Sequence, residues 1–416
     1  MMGKYGCIGK KLTHSFSKEI HNELADYDYE LIELAEDEVQ PFFEGKDFDA
    51  VNVTIPYKQT VMQYLDSVSD IAARIGAVNT VVNKNGVLYG YNTDYYGMKA
   101  LIERLGIDPS GKKVLILGTG GTSKTACAVL SDMGACEVLA VSRSKKEGCI
   151  TYDEALTLHN DESVIINTTP LGMYPDCGSK PIDIGGFDRL IGVVDAVYNP
   201  LCTELVLDAK VRGIKAAGGL YMLVMQAVAA IEKFLDVKID NESADKVFAE
   251  LLLSKENIVL IGMPGCGKST VSRCLSLDSF ELIDTDEKIE ALCSCTIKEL
   301  IASRGEKYFR DLESEIIRDV SSATRRIIST GGGAILREEN VKRLKQNGRL
   351  FFIDARLSRL RATDDRPLSS TKEKLERLYR ERIEIYRASA DVTVPDMETP
   401  DAESEYILSK RMELIK

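Results

Sequence analysis

The alternation of apolar and polar positions along the chain predicts a repeated strand–helix pattern. Short apolar or alternating runs, the mark of β-strands, are separated by stretches in which apolar residues recur at helical spacing. The predicted strands are residues 5–8, 29–34, 50–55, 113–117, 137–141, 164–166, 191–197, 258–261, 280–283 and 327–329. Strands that alternate with helices are typical of α/β domains with parallel sheets. The pattern therefore predicts an α/β protein throughout.

Length and composition agree with several domains of this kind. The chain has 416 residues, of which 44% are hydrophobic, and at roughly 150 residues per domain this length predicts two or three domains with buried cores. The formal net charge of −12 argues against nucleic acid as a partner, although local basic clusters can still hold small anions. Small molecules are therefore the expected partners.

The sequence carries no pattern that predicts a membrane or a secreted protein. No apolar stretch approaches the roughly 20 residues of a membrane span, and the N-terminus lacks a signal-peptide pattern. The ten cysteines form no C-x-x-C pair, and with only three histidines beside them they favour reduced thiols over a zinc site. We expect a cytoplasmic protein, either a monomer or a homodimer.

Residues 262–270 fit the phosphate-binding pattern G-x-x-x-x-G-K-[ST]. A predicted strand precedes the loop and a helix predicted over 270–277 follows it, which is the context that this pattern requires. Glycines let backbone N–H groups approach phosphate oxygens, Lys268 reaches the β- and γ-phosphates, and the Ser269 hydroxyl can bind Mg²⁺. A plain glycine-rich turn is the alternative, but both flanks favour a nucleoside triphosphate site. Its predicted residues are Gly262, Gly265, Gly267, Lys268, Ser269 and Thr270.

Polar residues recur near predicted strands in the first hundred residues. Lys58 follows one strand, and the segments that end at Asn79 and Asp94 are each expected to follow a strand-like run. Polar groups at several strand ends are typical of an active site between layers, although an isolated lysine is usually a solvated charge. Ser15 and Ser17 precede a predicted helix, where they could cap it or could hold a carboxylate beside its N–H groups.

Four motifs, taken in order, resemble those of shikimate dehydrogenase: Ser-x-Ser, Asn-Val-Thr-x-Pro-x-Lys, Gly-Ala-x-Asn-Thr and Asn-Thr-Asp. The resemblance extends through about residue 253. It implies that Ser15 and Ser17 bind the substrate carboxylate and that the ring hydroxyls are bound by Thr54, Asn79 and Asp94.

The same resemblance implies that Lys58 and Asp94 form the catalytic pair, and the chemistry agrees. When hydride reaches a ketone carbon, the oxygen becomes an alkoxide that needs a proton and a nearby positive charge. A lysine oriented by an aspartate supplies both. We therefore expect Lys58 to exchange the proton.

A second glycine-rich loop follows the predicted strand of residues 113–117. It departs from G-x-G-x-x-G, because Gly121 is an additional glycine and a serine takes the third position. At the end of the next strand, where an NAD site carries Asp or Glu, this chain has Ser-Arg-Ser, and Arg143 can bind a 2′-phosphate. The pattern favours NADP, with a solvated basic turn as the alternative. The predicted NADP residues here are Gly118, Gly120, Gly121, Ser142, Arg143 and Ser144.

The remaining dehydrogenase residues are expected around the nicotinamide. The ends of the strands at 164–166 and 191–197 should wall its pocket, which places Met173 and Tyr198 there, and Gly219 is added to the NADP residues. By resemblance to the family's Met-Leu-Val-x-Gln, Gln226 contacts substrate; a core or surface glutamine is the alternative.

The carboxylates Asp284 and Asp286 follow the predicted strand of residues 280–283. On alternate positions of a strand they would lie on the same side, so that Asp284 could hold Mg²⁺ through water and Asp286 could accept a proton from an attacking hydroxyl. Farther along, single arginines stand at three positions, and each alone would more commonly be a surface charge. They are Arg310, Arg366 and Arg382.

Together with the phosphate loop, these positions resemble shikimate kinase over about residues 256–416. The resemblance implies that Arg310 and Arg382 bind the carboxylate of the acceptor and that Arg366, in a lid, covers the phosphates. It also implies that the backbone of Gly332 and Gly333 approaches the acceptor ring.

We therefore predict three domains. Residues 1–105, completed by 225–253, should form a three-layer α/β substrate-binding domain, residues 106–224 a Rossmann domain that binds NADP, and residues 256–416 a P-loop kinase domain of the nucleoside-monophosphate-kinase-like type. The expected reactions are reduction of 3-dehydroshikimate with NADPH and phosphorylation of shikimate with ATP and Mg²⁺. The alternatives are a quinate-preferring dehydrogenase, a kinase for another small alcohol such as gluconate or a nucleoside monophosphate, and a half that only binds or regulates.

Overall fold

Three β-sheets, built largely from the predicted apolar runs, organise the chain. The computed structural model describes residues 4–12, 16–275, 277–360 and 371–413. The chain divides into two units, Met1–Leu251 and Leu252–Lys416. The first unit holds two six-stranded sheets and the second holds one five-stranded sheet. This confirms the predicted α/β fold class.

The first sheet is mixed. Its elements, in chain order, are β1 (Tyr5–Gly9), α1 (Ser17–Leu24), β2 (Tyr29–Glu33), α2 (Val39–Gly45), β3 (Ala50–Val53), β4 (Ser67–Val68), α3 (Asp70–Ile75), β5 (Thr80–Lys84), β6 (Val87–Tyr91) and α4 (Asp94–Arg104), with 3₁₀ turns at Glu36–Glu38 and Thr60–Tyr64. The strand order is β2-β1-β3-β5-β6-β4. β1 pairs in parallel with β2 and β3, whereas β5 is antiparallel to β3 and β6. Asn85 and Gly86 both have positive φ between β5 and β6, as a two-residue hairpin turn requires.

The second sheet is entirely parallel. Its elements are β7 (Lys113–Leu117), α5 (Gly121–Asp132), β8 (Glu137–Ser142), β9 (Cys149–Thr151), α6 (Tyr152–Leu158), β10 (Val164–Asn167), β11 (Gly192–Asp195), α7 (Glu204–Val211) and β12 (Lys215–Ala217). The order β12-β11-β10-β7-β8-β9 is the doubly wound arrangement, in which the chain reverses direction across the sheet between β7 and β10. Ligands of such sheets bind at the carboxyl ends of the strands near this switch point.

Two helices follow the second sheet in sequence, and the later one contains the division between Leu251 and Leu252. They are α8 (Leu220–Leu235) and α9 (Asn241–Lys255). α8 packs against α4 and α1, beside the first sheet. Its buried face is apolar apart from Gln226, which is only 8% exposed. A glutamine buried among apolar side chains needs hydrogen-bond partners, so Gln226 belongs to a polar site.

The third sheet is also parallel. Its elements are β13 (Asn257–Ile261), α10 (Lys268–Cys274), β14 (Glu281–Asp284), α11 (Thr285–Cys293), α12 (Ile297–Ser322), β15 (Arg326–Ser329), α13 (Glu338–Asn347), β16 (Gly348–Asp354), α14 (Lys372–Ser389), β17 (Val392–Pro395) and α15 (Pro400–Glu413), with 3₁₀ turns at Ala334–Leu336 and Leu357–Arg359. β13 lies at the centre of the order β14-β15-β13-β16-β17 and is completely buried. A strand covered on both faces is continuously apolar, which is why its run was recognisable.

Two local predictions were wrong. Asn79 does not follow a strand: it comes after α3 and immediately precedes β5. Asp286 does not continue β14 either, because Asp284 ends that strand and caps α11, so Asp286 lies in the first turn of a helix. A capping aspartate bonds backbone N–H groups and so turns the chain away from the strand direction. The alternate-residue geometry expected for Asp284 and Asp286 therefore does not apply.

Within the described ranges, no helix is both long enough and apolar enough to cross a membrane.

Candidate active sites

Lys58 and Asp94 form an ion pair beside the first sheet. Lys58 lies in the turn between β3 and the 3₁₀ helix Thr60–Tyr64, and Asp94 opens α4. The Lys58 Nζ atom is 2.6 Å from Asp94 Oδ2, and the two side chains are only 18% and 11% exposed. Low exposure strengthens their attraction relative to a surface pair. The pair has the geometry of a proton-exchanging lysine held by a carboxylate.

Two further predicted residues meet this pair. Asn79 Nδ2 donates to Asp94 Oδ1 at 2.9 Å, and it lies 3.5 Å from the Oε1 atom of Gln226. Asn79 and Gln226 are both buried. Four predicted residues from separate segments thus come together as one polar cluster.

The structure describes two of the three other predicted substrate residues, Thr54 and Ser17. Thr54 follows β3, and its methyl group lies against Gly9, where a Cβ would come within 2.6 Å of it. Ser17 is the first residue of α1 and is buried. Ser15 lies outside the described residues.

A cavity of about 650 Å³ lies between Lys58 and the carboxyl end of the second sheet. Six predicted NADP residues line it, from the first glycine loop and the end of β8: Gly118, Gly120, Gly121, Ser142, Arg143 and Ser144. Glycine is needed at position 118, because Gly118 has a φ of +111° and a Cβ there would lie 2.8 Å from Thr168 Oγ1. A dinucleotide fits this position by the switch-point rule.

The positive charge at the end of β8 is larger than predicted. Arg143 is exposed in the cavity wall, and Lys146 lines the same wall, where its Nζ donates to Thr119 Oγ1 at 3.3 Å. The basic run at 143–146 signalled this role, but only Arg143 was singled out. Ser142, by contrast, is buried.

Among the described residues, Met173, Tyr198 and Gly219 do not line this cavity. Met173 is 45% exposed in the loop after β10. Tyr198 follows β11 and packs against Phe16, with ring centroids 5.4 Å apart. At Gly219, which precedes α8, a Cβ would collide with the carbonyl oxygen of Ala196, so the close approach requires glycine.

One buried acid was missed near these segments. Asp195, the last residue of β11, accepts hydrogen bonds from Asn167 Nδ2, Val197 N and Thr203 Oγ1. Burial raises the pKa of Asp195 to about 6 despite these three donors. It ties together the ends of β10 and β11 and the start of α7.

The phosphate loop in the second unit has the expected backbone. Gly262, Gly265 and Gly267 have φ values of +154°, +77° and +101°, which side-chain-bearing residues rarely adopt. Lys268 is 8% exposed, and its Nζ donates to Gly262 O at 2.9 Å and to Met263 O at 3.0 Å. The loop therefore presents N–H groups and a lysine at the N-terminus of α10, which is an anion site.

Ser269 and Asp284, which were predicted to bind Mg²⁺, lie in contact with each other. The Ser269 hydroxyl donates to Asp284 Oδ2 at 2.7 Å, while Asp284 Oδ1 accepts from Asp286 N at 3.0 Å. Hydroxyl and carboxylate oxygens at hydrogen-bonding distance suit Mg²⁺, which prefers one or two protein oxygens together with phosphate and water. The donor set therefore fits the ion.

Asp286 and Glu313 converge on the glycine turn after β15. A Cβ at Gly331 would lie 2.6 Å from Asp286 Oδ1 and 2.7 Å from Glu313 Oε1. Glu313 is fully buried, and burial raises its pKa although Arg310 opposes the shift. Only glycine lets these carboxylates come so close to the backbone.

Two arginines hold the same turn. The Arg310 guanidinium bonds Glu313 Oε2 at 2.7 Å and lies directly on Gly333, where a Cβ would collide with it. Arg382, from α14, is 6% exposed and donates to Gly332 O at 2.9 Å. The two cations therefore reach the turn from α12 and α14.

These groups surround a cavity of about 720 Å³. The predicted residues that line it are Gly265, Gly267, Lys268, Ser269, Thr270, Asp284, Asp286, Arg310, Gly332, Gly333 and Arg382. Arg366 lies outside the described residues. The prediction missed Glu313, Glu290 and Thr296–Lys298, which also line the cavity. The i, i+3 spacing of Arg310 and Glu313 was the signal that could have indicated Glu313.

Comparisons with known proteins separate the same two regions. The family model described as "Shikimate dehydrogenase substrate binding domain" matches residues 7–81, and the one described as "Shikimate kinase" matches residues 264–413. A "Shikimate dehydrogenase (NADP(+))" of Clostridium perfringens is 38% identical over 268 residues, which cover 60% of this chain and 98% of the relative.

Solved structures agree with this match. The structure of shikimate dehydrogenase 1 from Peptoclostridium difficile is 36% identical, with a TM-score of 0.56 over 60% of this chain and 98% of that one. A shikimate 5-dehydrogenase from Thermus thermophilus, in complex with NADP(H) and shikimate, is 27% identical, with a TM-score of 0.55 over 60% of this chain and 99% of that one.

Proposed function

The chain belongs to the shikimate dehydrogenase family over its N-terminal 60% and carries a shikimate kinase domain after it, and we propose that it catalyses two consecutive reactions. The first is the NADPH-dependent reduction of 3-dehydroshikimate to shikimate. The second is the ATP-dependent phosphorylation of the 3-hydroxyl of shikimate. It is a bifunctional enzyme of the shikimate pathway.

In the first reaction Lys58 exchanges the proton. As hydride adds to the ketone carbon, negative charge develops on the oxygen, and the Lys58 ammonium group stabilises that charge and donates the proton. Asp94 orients the lysine through the 2.6 Å contact. Asn79 and Gln226 bind ring hydroxyls, and Thr54, Ser15 and Ser17 complete the substrate contacts.

NADPH would be held by residues at the carboxyl end of the second sheet. Gly118, Gly120 and Gly121 let the pyrophosphate approach the N-terminus of α5. Arg143, with Ser142 and Ser144 beside it, binds the 2′-phosphate through charge-assisted hydrogen bonds. Met173, Tyr198 and Gly219 do not line the described cavity, and their place at the nicotinamide end stays a prediction from the sequence.

In the second reaction the protein positions the reactants and supplies charge. Lys268 and the backbone N–H groups of its loop hold the ATP phosphates, and Arg366 covers them. Arg310 and Arg382 bind the shikimate carboxylate, while Gly332 and Gly333 allow the ring to approach. Asp286 accepts the proton of the attacking hydroxyl.

Mg²⁺ completes the kinase site. Ser269 Oγ would bind it directly and Asp284 would hold it through water, at the two oxygens that lie 2.7 Å apart. When bound, the ion neutralises charge that develops on the β- and γ-phosphates. Chelation of divalent cations should therefore stop phosphate transfer and leave NADPH oxidation unchanged.

The buried Lys58–Asp94 pair carries this proposal, because a module that only bound its ligand would not need a proton-exchanging group. One coupled assay tests it: 3-dehydroshikimate, NADPH, ATP and Mg²⁺ should yield shikimate 3-phosphate. Without ATP, the reaction should stop at shikimate. Faster turnover of quinate with NAD would refute the proposed dehydrogenase reaction. ATP consumption without a shikimate phosphate would refute the proposed kinase reaction.

A further inference from the structure

A chain of buried polar side chains ends on the Lys58–Asp94 pair. Its members lie in β2 and β3, at the start of β5 or just before it, and at the start of α4 or just before it, and none is more than 8% exposed. They are Tyr29, Asn52, Asn79, Thr80, Thr93 and Asp94. Buried polar groups are costly unless each is hydrogen-bonded, so the order of donors and acceptors along this chain is informative.

The chain starts at Tyr29. Its hydroxyl donates to Asn52 Oδ1 at 2.6 Å, which directs the other end of that amide, Nδ2, toward Thr80 Oγ1 at 3.1 Å. Tyr29 is 1% exposed, and burial holds the pKa of its hydroxyl well above the ordinary value. The hydroxyl is therefore protonated and a donor at every relevant pH. This sets the direction of the two hydrogen bonds from Tyr29 through Asn52 to Thr80.

The middle of the chain fixes Asn79. Its Oδ1 accepts from Thr93 N at 2.6 Å, from the Thr80 hydroxyl at 3.1 Å and from the Thr93 hydroxyl at 3.2 Å. Rotation of the amide by 180° would place an NH₂ group against the Thr93 N–H, so that two donors would face each other. The amide is therefore held with Nδ2 toward Asp94.

The chain ends on the catalytic pair. Asn79 Nδ2 donates to Asp94 Oδ1 at 2.9 Å, and Asp94 Oδ2 holds Lys58 Nζ at 2.6 Å. Each carboxylate oxygen thus has its own donor. If the asparagine amide were free to rotate, its carbonyl oxygen would face the carboxylate and repel it.

We propose that Thr80, oriented by Tyr29 and Asn52, is a positioning residue for the dehydrogenase reaction: through Asn79 it keeps Asp94 in the orientation that holds Lys58. The inference rests on the proposed function, because it concerns the proposed proton-exchanging pair. Thr80 is 0% exposed, so its hydroxyl acts on the pair only through its neighbours. Its effect is on the rate at which bound reactants react.

Two variants of Thr80 separate positioning from packing. Thr80→Val keeps the volume and removes the hydroxyl, whereas Thr80→Ser keeps the hydroxyl and removes a methyl group at a site that is 0% exposed. Positioning predicts that Thr80→Val lowers kcat about tenfold with KM for NADPH unchanged, the scale of one lost buried hydrogen bond. It also predicts that Thr80→Ser stays within about twofold of the wild type.

Packing predicts the reverse ranking, because the serine leaves a void and valine does not. A Thr80→Val enzyme with wild-type kcat, or a Thr80→Ser enzyme slower than Thr80→Val, would overturn the inference. The shift of the unfolding midpoint that NADP produces in each preparation serves as the measure of an intact dehydrogenase unit. If wild-type protein does not reduce 3-dehydroshikimate at all, the proposed function fails instead.

A second pair of variants applies if Thr80→Val does not fold. Tyr29→Phe removes the first donor, and Tyr57→Phe is its matched control, because the Tyr57 hydroxyl is also buried and donates at 2.6 Å, to Leu34 O. Tyr29→Phe should lower kcat about threefold while Tyr57→Phe leaves it unchanged. Equal kcat values for the two variants would overturn the inference.

Discussion

The two active sites hold their cations in different ways. In the dehydrogenase site Lys58 pairs with a carboxylate, Asp94, at 2.6 Å. In the kinase site Lys268 is bonded to the carbonyl oxygens of Gly262 and Met263, and Arg382 to that of Gly332. A lysine–carboxylate pair is nearly neutral overall, whereas a cation held by carbonyl dipoles keeps its full charge.

The difference matches the chemistry of each site. A lysine that is hydrogen-bonded to a carboxylate is held in place to donate its proton to the developing alkoxide, and the lysine itself becomes neutral when the proton leaves. Cations that keep their charge attract anions, and the proposed kinase ligands are phosphates and a carboxylate. Arg310 is intermediate, since it pairs with the buried Glu313. Removing a charged group should therefore impair proton transfer in the dehydrogenase site and the binding or transfer of phosphate in the kinase site.

The largest effect is expected for Lys58→Ala. Loss of a general acid–base group lowers turnover by roughly 10²–10⁴-fold, so NADPH oxidation with 3-dehydroshikimate should fall by that factor. Lys99→Ala is the control, since Lys99 lies on the same helix as Asp94 but is 44% exposed. Near-normal turnover of Lys58→Ala would remove Lys58 from the mechanism and break the comparison.

Asp286→Asn should lower phosphate transfer to shikimate by about 10²-fold or more, because the side chain keeps its shape but cannot accept the hydroxyl proton. ATP affinity, which depends on the Lys268 loop, should change little, and NADPH oxidation should remain at the wild-type rate. Asp401→Asn is a matched control, because Asp401 is also in the first turn of a helix. Retained phosphate transfer in Asp286→Asn would refute the role of Asp286.

Arg143→Ala tests whether this arginine of the dehydrogenase unit binds the 2′-phosphate of NADPH. Hydrogen bonds to charged groups contribute about 1.5–3 kcal/mol, so KM for NADPH should rise by roughly 10–100-fold, while KM for NADH stays the same. Lys145→Ala, at an exposed neighbouring position, is the control. If both cofactors were weakened equally, Arg143 would not read the 2′-phosphate.

The smallest effect concerns stability, at Asp195. Its pKa is raised from 3.8 to about 6 in the folded protein, so the folded state binds the proton more tightly, and stability is lost as pH rises from about 4 to 6. Asp195→Asn should therefore be more stable than wild type above pH 6, by about 1–3 kcal/mol. Because the Thr203 hydroxyl can reverse and accept from the new NH₂ group, the three hydrogen bonds can persist.

The measurement is the unfolding midpoint at pH 5 and at pH 8. The transition of the dehydrogenase unit is identified as the one that NADP shifts. Asp183→Asn is the opposite-sign control, because the pKa of Asp183 is lowered by the Gly185 N–H and by Lys180. An Asp195→Asn protein whose advantage is independent of pH would show that the raised pKa does not govern this site.

Much of the fold and of both sites was predictable from local sequence. The strands β7, β10 and β13 are buried on both faces, and such strands must be continuously apolar. The phosphate loop was recognisable because glycine is strongly favoured where φ is positive, as at Gly265 and Gly267. The Lys58–Asp94 pair followed from motifs that resemble a family, and the structure brings the two side chains together.

Other features could not be predicted, because they depend on contacts between distant segments. Asn79 and Gln226 are 147 positions apart in sequence, and no spacing rule connects an asparagine before a strand with a glutamine in a late helix. Asp284 was expected to lie on the same side as Asp286, but it caps α11 instead. Whether an aspartate extends a strand or caps a helix depends on which N–H groups come within reach.

The sequence by itself determined which residues carry charge, where glycine permits a tight loop, and which runs must be buried. Only the tertiary structure decided the orientation of the groups, such as the amide of Asn79, because its donors on Thr80 and Thr93 come from a strand and a helix start. The physical reason is range. Backbone conformation and burial are set by neighbours along the chain, whereas a hydrogen bond between side chains forms only when folding has brought donor and acceptor within about 3 Å.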